Sequence, residues 1–111
     1  MTEEAGADLR RLRDETDSEV ATLEADLRSL FEASRSSNAD DEHDPEGATI
    51  AFERAQLIAV LEAARHRLAE FDLALERIGA GDYGRCERCG RPIPAERLAA
   101  RPAARTCVAC A

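Results

Sequence analysis

Between residues 5 and 34, apolar side chains recur at Leu9, Leu12, Val20, Leu23, Leu27 and Leu30. Steps of three and four between neighbours put them on one stripe of an α-helix. The strict heptad is broken once, around Thr16, in the manner of a stutter. There is no Pro in this stretch and only one glycine, Gly6. Thr2 is a candidate N-cap, with Glu3 and Glu4 in the first turn, where the helix dipole favours acids.

The segment SRSSNADDEHDPEGAT, residues 34–49, ends the stripe with polar turn formers. Asp44-Pro45 is a restart signal, Asp at the N-cap and Pro at the first helical position. A second stripe follows at Leu57, Leu61, Ala64, Leu68, Phe71, Leu75 and Ile78, and Gly79 and Gly81 stop it. Each helix then has roughly 30 to 35 residues, or about 45 to 52 Å. Two equal helices joined by a short polar tip predict an antiparallel coiled-coil hairpin. The competing arrangement is a helix pair within a homo-oligomeric bundle.

The chain has 111 residues, enough for one small domain. With three Phe, one Tyr and one Met it has little material for a thick core. Its apolar content is mostly Ala and Leu, which favour helix. Net charge is −8, and with no Lys every full positive charge is Arg. Residues 81–111 hold six Arg against Asp82, Glu87 and Glu96, so the rest carries −11. That acidity argues against duplex binding, which depends on neutralising phosphates. No apolar run is long enough to span a membrane, and the first residues lack the apolar core of a signal peptide. A cytoplasmic protein with reduced thiols is expected.

The four cysteines come as Cys86-x2-Cys89 and Cys107-x2-Cys110, with seventeen residues between the pairs. This is the spacing of a structural zinc site, two turns that each present a thiolate pair to one tetrahedral ion. Gly84 and Gly90 flank the first pair and supply tight turns. Arg85, Arg88, Arg91 and Arg105 are expected to favour the thiolates. Four protein ligands close the site, so the zinc is structural, and a segment this poor in apolar residues needs such a staple. A disulfide framework suits a cytoplasmic chain poorly, and a thioredoxin-like motif expects a βαβ context that is missing. His43 and His66 are not expected to be ligands. The expected architecture is all-α dominated: a long antiparallel coiled-coil hairpin over residues 1–80, with an acidic tip at about 38–47, then a small C4 zinc-finger module over 81–111.

The segment YGRCERCGRPIPAERLAARPAARTCVAC closely resembles the C4 zinc finger of the DksA/TraR family. The matching positions include Tyr83, Gly84, the four cysteines, Ile93, Arg97, Leu98, Arg101 and Pro102. The preceding hairpin fits the family's coiled coil in length and pattern. The resemblance implies a bacterial, non-enzymatic transcription regulator. Such proteins bind RNA polymerase and insert the coiled coil into its secondary channel, where the tip changes initiation kinetics without DNA contact. A narrow acidic rod suits a channel lined with basic groups.

The family's tip pattern, Asp-x-x-Asp-x-Ala, falls on His43, Glu46 and Ala48 when counted back from Cys86 without gaps. A slip of one or two residues brings in Asp41 or Asp44 instead. Arg101 matches an arginine of the family's ppGpp pocket, but the pocket's basic position on the second helix falls at Glu70. The chain ends at Ala111, where the family continues into a helix. The resemblance thus implies RNA polymerase as partner, with ppGpp contact resting on Arg101 alone. Two other classes stay open. A coiled-coil adaptor would use the broad apolar band Leu57, Ile58, Val60 and Leu61 against a partner. A nucleic-acid-binding zinc module would use the finger's six Arg. No nucleophile–base set, phosphate loop or open metal site points to an enzyme.

Overall fold

The structure, a computed structural model, describes residues 2–37 and 45–111. Helix α1 spans Thr2–Ser37, α2 Pro45–Ala80 and α3 Ala95–Ala100, and a single 3-10 turn covers Val108–Cys110. Among the described residues the only β feature is an isolated antiparallel bridge between Arg85 and Pro92. The fold class is as expected, two long helices packed together and a four-cysteine finger. No described helix is long and apolar enough to cross a membrane.

The chain forms two compact units, Met1–Glu15 with Arg67–Ala111, and Thr16–His66. We call them the finger unit and the helix-pair unit. These units group by contact and cut across the helices; α2 itself ends at Ala80, beside the boundary expected between residues 80 and 81. The finger has too few apolar residues to stand alone, and it shares a unit with the helix ends that it contacts. In the finger unit Arg13 Nε donates to Asp72 Oδ1 at 2.8 Å, and Gly6 lies close to Ile78. In the helix-pair unit Arg65 pairs with Glu24 at 3.2 Å, and Arg54 lies 5.3 Å from the centre of the Phe31 ring. Within each unit the partner number falls as the α1 number rises, so α1 and α2 run antiparallel.

The stripes are the seam. Leu9 and Ala74 are buried in the finger unit, and Thr16, Val20, Leu61 and Ala64 in the helix-pair unit. Thr16 occupies the gap in the first stripe. With it the stripe runs 9, 12, 16, 20, 23, 27, 30, in steps of three and four throughout, so the stutter is a continuous apolar track with one hydroxyl in it.

Thr2 is the first helical residue of α1 and not its cap, and α1 runs three residues past Ser34, with Arg35 in the last turn beside the negative end of the dipole. Helix α2 starts at Pro45, as expected. It ends in a Schellman motif: Gly81 sits at φ 82°, its N–H bonds to Ile78 O, and the Asp82 N–H bonds to Arg77 O. Gly79, the other expected stop, is still helical.

Candidate metal centre

The Schellman turn delivers the chain into the first cysteine loop. Gly84 and Gly90 take φ values of 85° and 74°, where a side chain would be strained. The Cys86 N–H donates to Arg91 O at 2.8 Å, Gly90 N–H to Cys86 O at 2.9 Å and Ile93 N–H to Gly84 O at 2.7 Å. The second loop closes through Cys110 N–H to Cys107 O, and Glu87 N–H to Arg105 O joins the two loops. Ile93 is buried with Cys86 and Cys107, and Leu98 packs on them.

All four Sγ atoms lie within 4.8 Å of one another. At a Zn–S distance of about 2.3 Å, a tetrahedral site has edges of about 3.8 Å. The Cys89 to Cys107 distance is 3.7 Å, and none of the four is in a disulfide. The cluster therefore fits one structural Zn²⁺ held by Cys86, Cys89, Cys107 and Cys110. With no fifth donor in the cluster, its chemistry is to staple the fold.

Backbone N–H groups of Cys89 and Cys107 aim at Cys86 and bring its thiol down to about 6. The cause differs from the expected one, because backbone amides outweigh the neighbouring arginine charges. Cys110 is pushed up to about 12 by hydrogen bonds with the thiols of Cys107 and Cys86. Crowded thiols share protons, and a divalent cation displaces them.

Side chains then tie the finger to itself and pin it to the end of α2. Tyr83 OH donates to Pro102 O at 2.8 Å, and Arg97 Nε to Thr106 O at 2.8 Å. Arg77 donates through Nη2 to Asp82 O and Arg85 O, and its Nη1 lies 3.8 Å from Glu87. Arg105 reaches Glu70 at 3.5 Å. Sequence reasoning missed Arg77 and helix α3. Pro94 followed by Ala95-Glu96, with the acid in the first turn, was a signal for α3.

Glu70, at the position where the family carries a basic residue, is thus engaged by Arg105. Arg101 caps the C-terminal end of α3 through its backbone N–H to Arg97 O, and its side chain is exposed. His66 is exposed on α2. Of the tip positions, Asp41, His43 and Asp44 lie outside the described residues. The backbone of Glu46 is in the first turn of α2, and Ala48 is exposed.

Residues 81–111 match the family model of the prokaryotic dksA/traR C4-type zinc finger. The structure of transcription factor DksA2 from Pseudomonas aeruginosa is similar over 98% of this chain and 78% of that one, with a TM-score of 0.81 and 31% identity. The chain belongs to the DksA/TraR family. General stress protein 16O of Bacillus subtilis is 40% identical over 72 residues, 65% of this chain and 44% of that protein. The RNA polymerase-binding transcription factor DksA of Caulobacter vibrioides is 40% identical over 52 residues, 47% of this chain and 37% of that protein. The matched segments thus span less than half the length of these two curated relatives. The family's zinc finger and paired helices are both present here.

Proposed function

We propose that the chain is an RNA polymerase-binding transcription regulator that inserts its coiled coil into the polymerase secondary channel and modulates initiation. The observation that carries this reading is the likeness to DksA2 over 98% of the chain, helices and finger together. The Caulobacter relative, by its name, binds RNA polymerase. Charge placement supports the same reading. The helix-pair unit has four Arg against twelve acids, which suits a channel with basic walls. In this reading Asp41, His43, Asp44, Glu46 and Ala48 form the tip that approaches the polymerase active centre. Arg101, exposed, contacts polymerase or ppGpp. With Glu70 held by Arg105 in place of a basic residue, ppGpp binding is weak or lost. The zinc holds the finger and takes no part in chemistry, the protein is not an enzyme, and it works in the cytoplasm where polymerase is.

The test is binding of the zinc-loaded protein to core RNA polymerase of the same host, with a known secondary-channel factor as competitor. Competition is the expected result. An Asp44→Ala/Glu46→Ala variant should still dock but lose the effect on initiation. Binding that the competitor leaves unchanged would remove the channel reading. The adaptor reading draws on one observation, the exposure of Phe52 and Val60 on α2 at 65% and 49%.

A further inference from the structure

Three of the five exposed large hydrophobic side chains, Phe31, Phe52 and Val60, belong to the helix-pair unit. Phe52, Gln56 and Val60 follow each other at i, i+4 and i+8, so they form one row along α2. Beside that row runs an open groove of about 560 Å³ between α1 and α2. Its floor is Leu30 and Ala33 from α1 and Leu57 and Val60 from α2, and its rims carry Asp26 and Glu53. The groove spans residues 26–33 of one helix and 53–60 of the other, two turns of each, or about 10 Å.

Both rim carboxylates are unpaired among the described residues. Arg65 of this unit is taken by Glu24, and Arg54 lies over Phe31. An apolar floor between two free acids, in a unit of net charge −8, selects its occupant by charge. A second copy would bring −8 against −8, with acids facing acids. A segment with aliphatic anchors on one face and arginine or lysine on its flanks meets both the floor and the rims. Two antiparallel helices offer a third helix a ridge-and-groove seat of this length.

We propose that this groove is a docking site for a basic amphipathic helix of a partner protein. Aliphatic side chains at i and i+3 or i+4 enter between Leu30 and Val60. Basic residues on either side pair with Asp26 and Glu53, and Phe52 extends the apolar contact by one turn. The proposal stands on the groove alone and does not rest on the secondary-channel reading, so the polymerase competition experiment and the one below fail independently.

The probe is a fluorescein-labelled synthetic helix of Leu and Arg, about five turns long, with Leu at i, i+3, i+4 and i+7. Two control peptides replace every Leu by Ser or every Arg by Glu. Anisotropy titrations use the full-length, zinc-loaded protein, and amide chemical shifts locate the bound peptide. The Leu/Arg helix is expected to bind, with shifts centred on residues 26–33 and 53–60, and both controls to bind about tenfold more weakly or worse. Val60→Glu should weaken binding about tenfold, and the uncharged Val60→Ser should do so by less. Asp26→Arg/Glu53→Arg should weaken it and flatten its salt dependence. Val60 is half exposed, so unchanged helix content and zinc content should confirm that its variants fold. Equal binding of the Leu-to-Ser peptide, shifts centred elsewhere, or indifference to both Val60 variants would reduce the attraction to general acidity and overturn the proposal. A wild-type dimer in sedimentation that Val60→Glu dissolves would give the groove to a second copy and overturn it too.

Discussion

The two compact units solve the same problem differently. The finger unit has eleven Arg and eleven acids and is neutral; the helix-pair unit has four Arg and twelve acids and carries the whole net charge of −8. The finger unit closes around four thiols and ties its loops with backbone bonds and arginine pins. The helix-pair unit closes along its seam, with Thr16, Val20, Leu61 and Ala64 buried. A metal staple lets a small, polar segment hold a fixed shape. A helical seam needs only one face of each helix, so the remaining faces are free to carry acids and exposed apolar side chains for something else to meet.

The largest effect should come from the metal. Structural zinc contributes about 10–16 kcal/mol in small zinc peptides. A chelator, or Cys107→Ser, should abolish amide-exchange protection across residues 81–111 while the helices of Thr16–His66 stay protected. Loss of protection in both units together would erase the contrast between them. Acid acts on the same staple. Cys86 keeps its thiolate above about pH 6, whereas Cys110 releases its proton to water only when the metal displaces it. Stability from Cys86 is fully present above its ordinary value of about 9 and is lost progressively as pH falls from there through about 6. Zinc affinity, measured against a chromophoric chelator, should drop by more than one proton's worth for each pH step between about 8 and 6.

Core truncations come next. Leu9→Ala and Leu61→Ala each remove a buried side chain, one per unit, and each should cost about 2–5 kcal/mol in denaturant unfolding. Comparing hydrogen exchange in the two variants would show whether the units open separately. Pins in the finger unit are smaller. Tyr83→Phe deletes the bond to Pro102 O and should cost about 1 kcal/mol, with zinc content unchanged. The smallest effect has the opposite sign. A Cβ at Gly6 would stand 3.7 Å from Ile78 and 3.4 Å from the far end of Arg10, which can move. Gly6→Ala should therefore stabilise α1 by about 1 kcal/mol or less, read as a raised midpoint.

The metal centre was legible because ligand spacing is a direct imprint of coordination geometry. The helices were legible because burial of one face repeats with the helical period. What escaped reading depends on contacts distant in sequence. Thr16 looks like a break in the pattern, but burial against α2 makes it part of the seam. Ala74 is buried although it lies outside the second stripe, because a small side chain gives little signal of its own. Arg77 looks like one more surface cation. Its role depends on the Schellman turn that bends the chain back past its guanidinium. Arginines that favour thiolates are visible in the sequence, whereas the backbone amides that lower the Cys86 thiol are visible only once folded. The expected tip residues Asp41, His43 and Asp44 lie outside the described residues, and their roles remain part of the proposal.

Tyr83 is the one tyrosine of a chain without tryptophan, and its hydroxyl ends on Pro102 O, inside the finger. The protein thus carries a single tyrosine fluorophore, placed where the finger folds and absent from residues 16–66. Tyrosine emission reports the finger and the start of α1 beside it, while far-ultraviolet dichroism is dominated by the two long helices. The two signals, followed in one cuvette, separate the halves of this molecule without a label or an added chromophore.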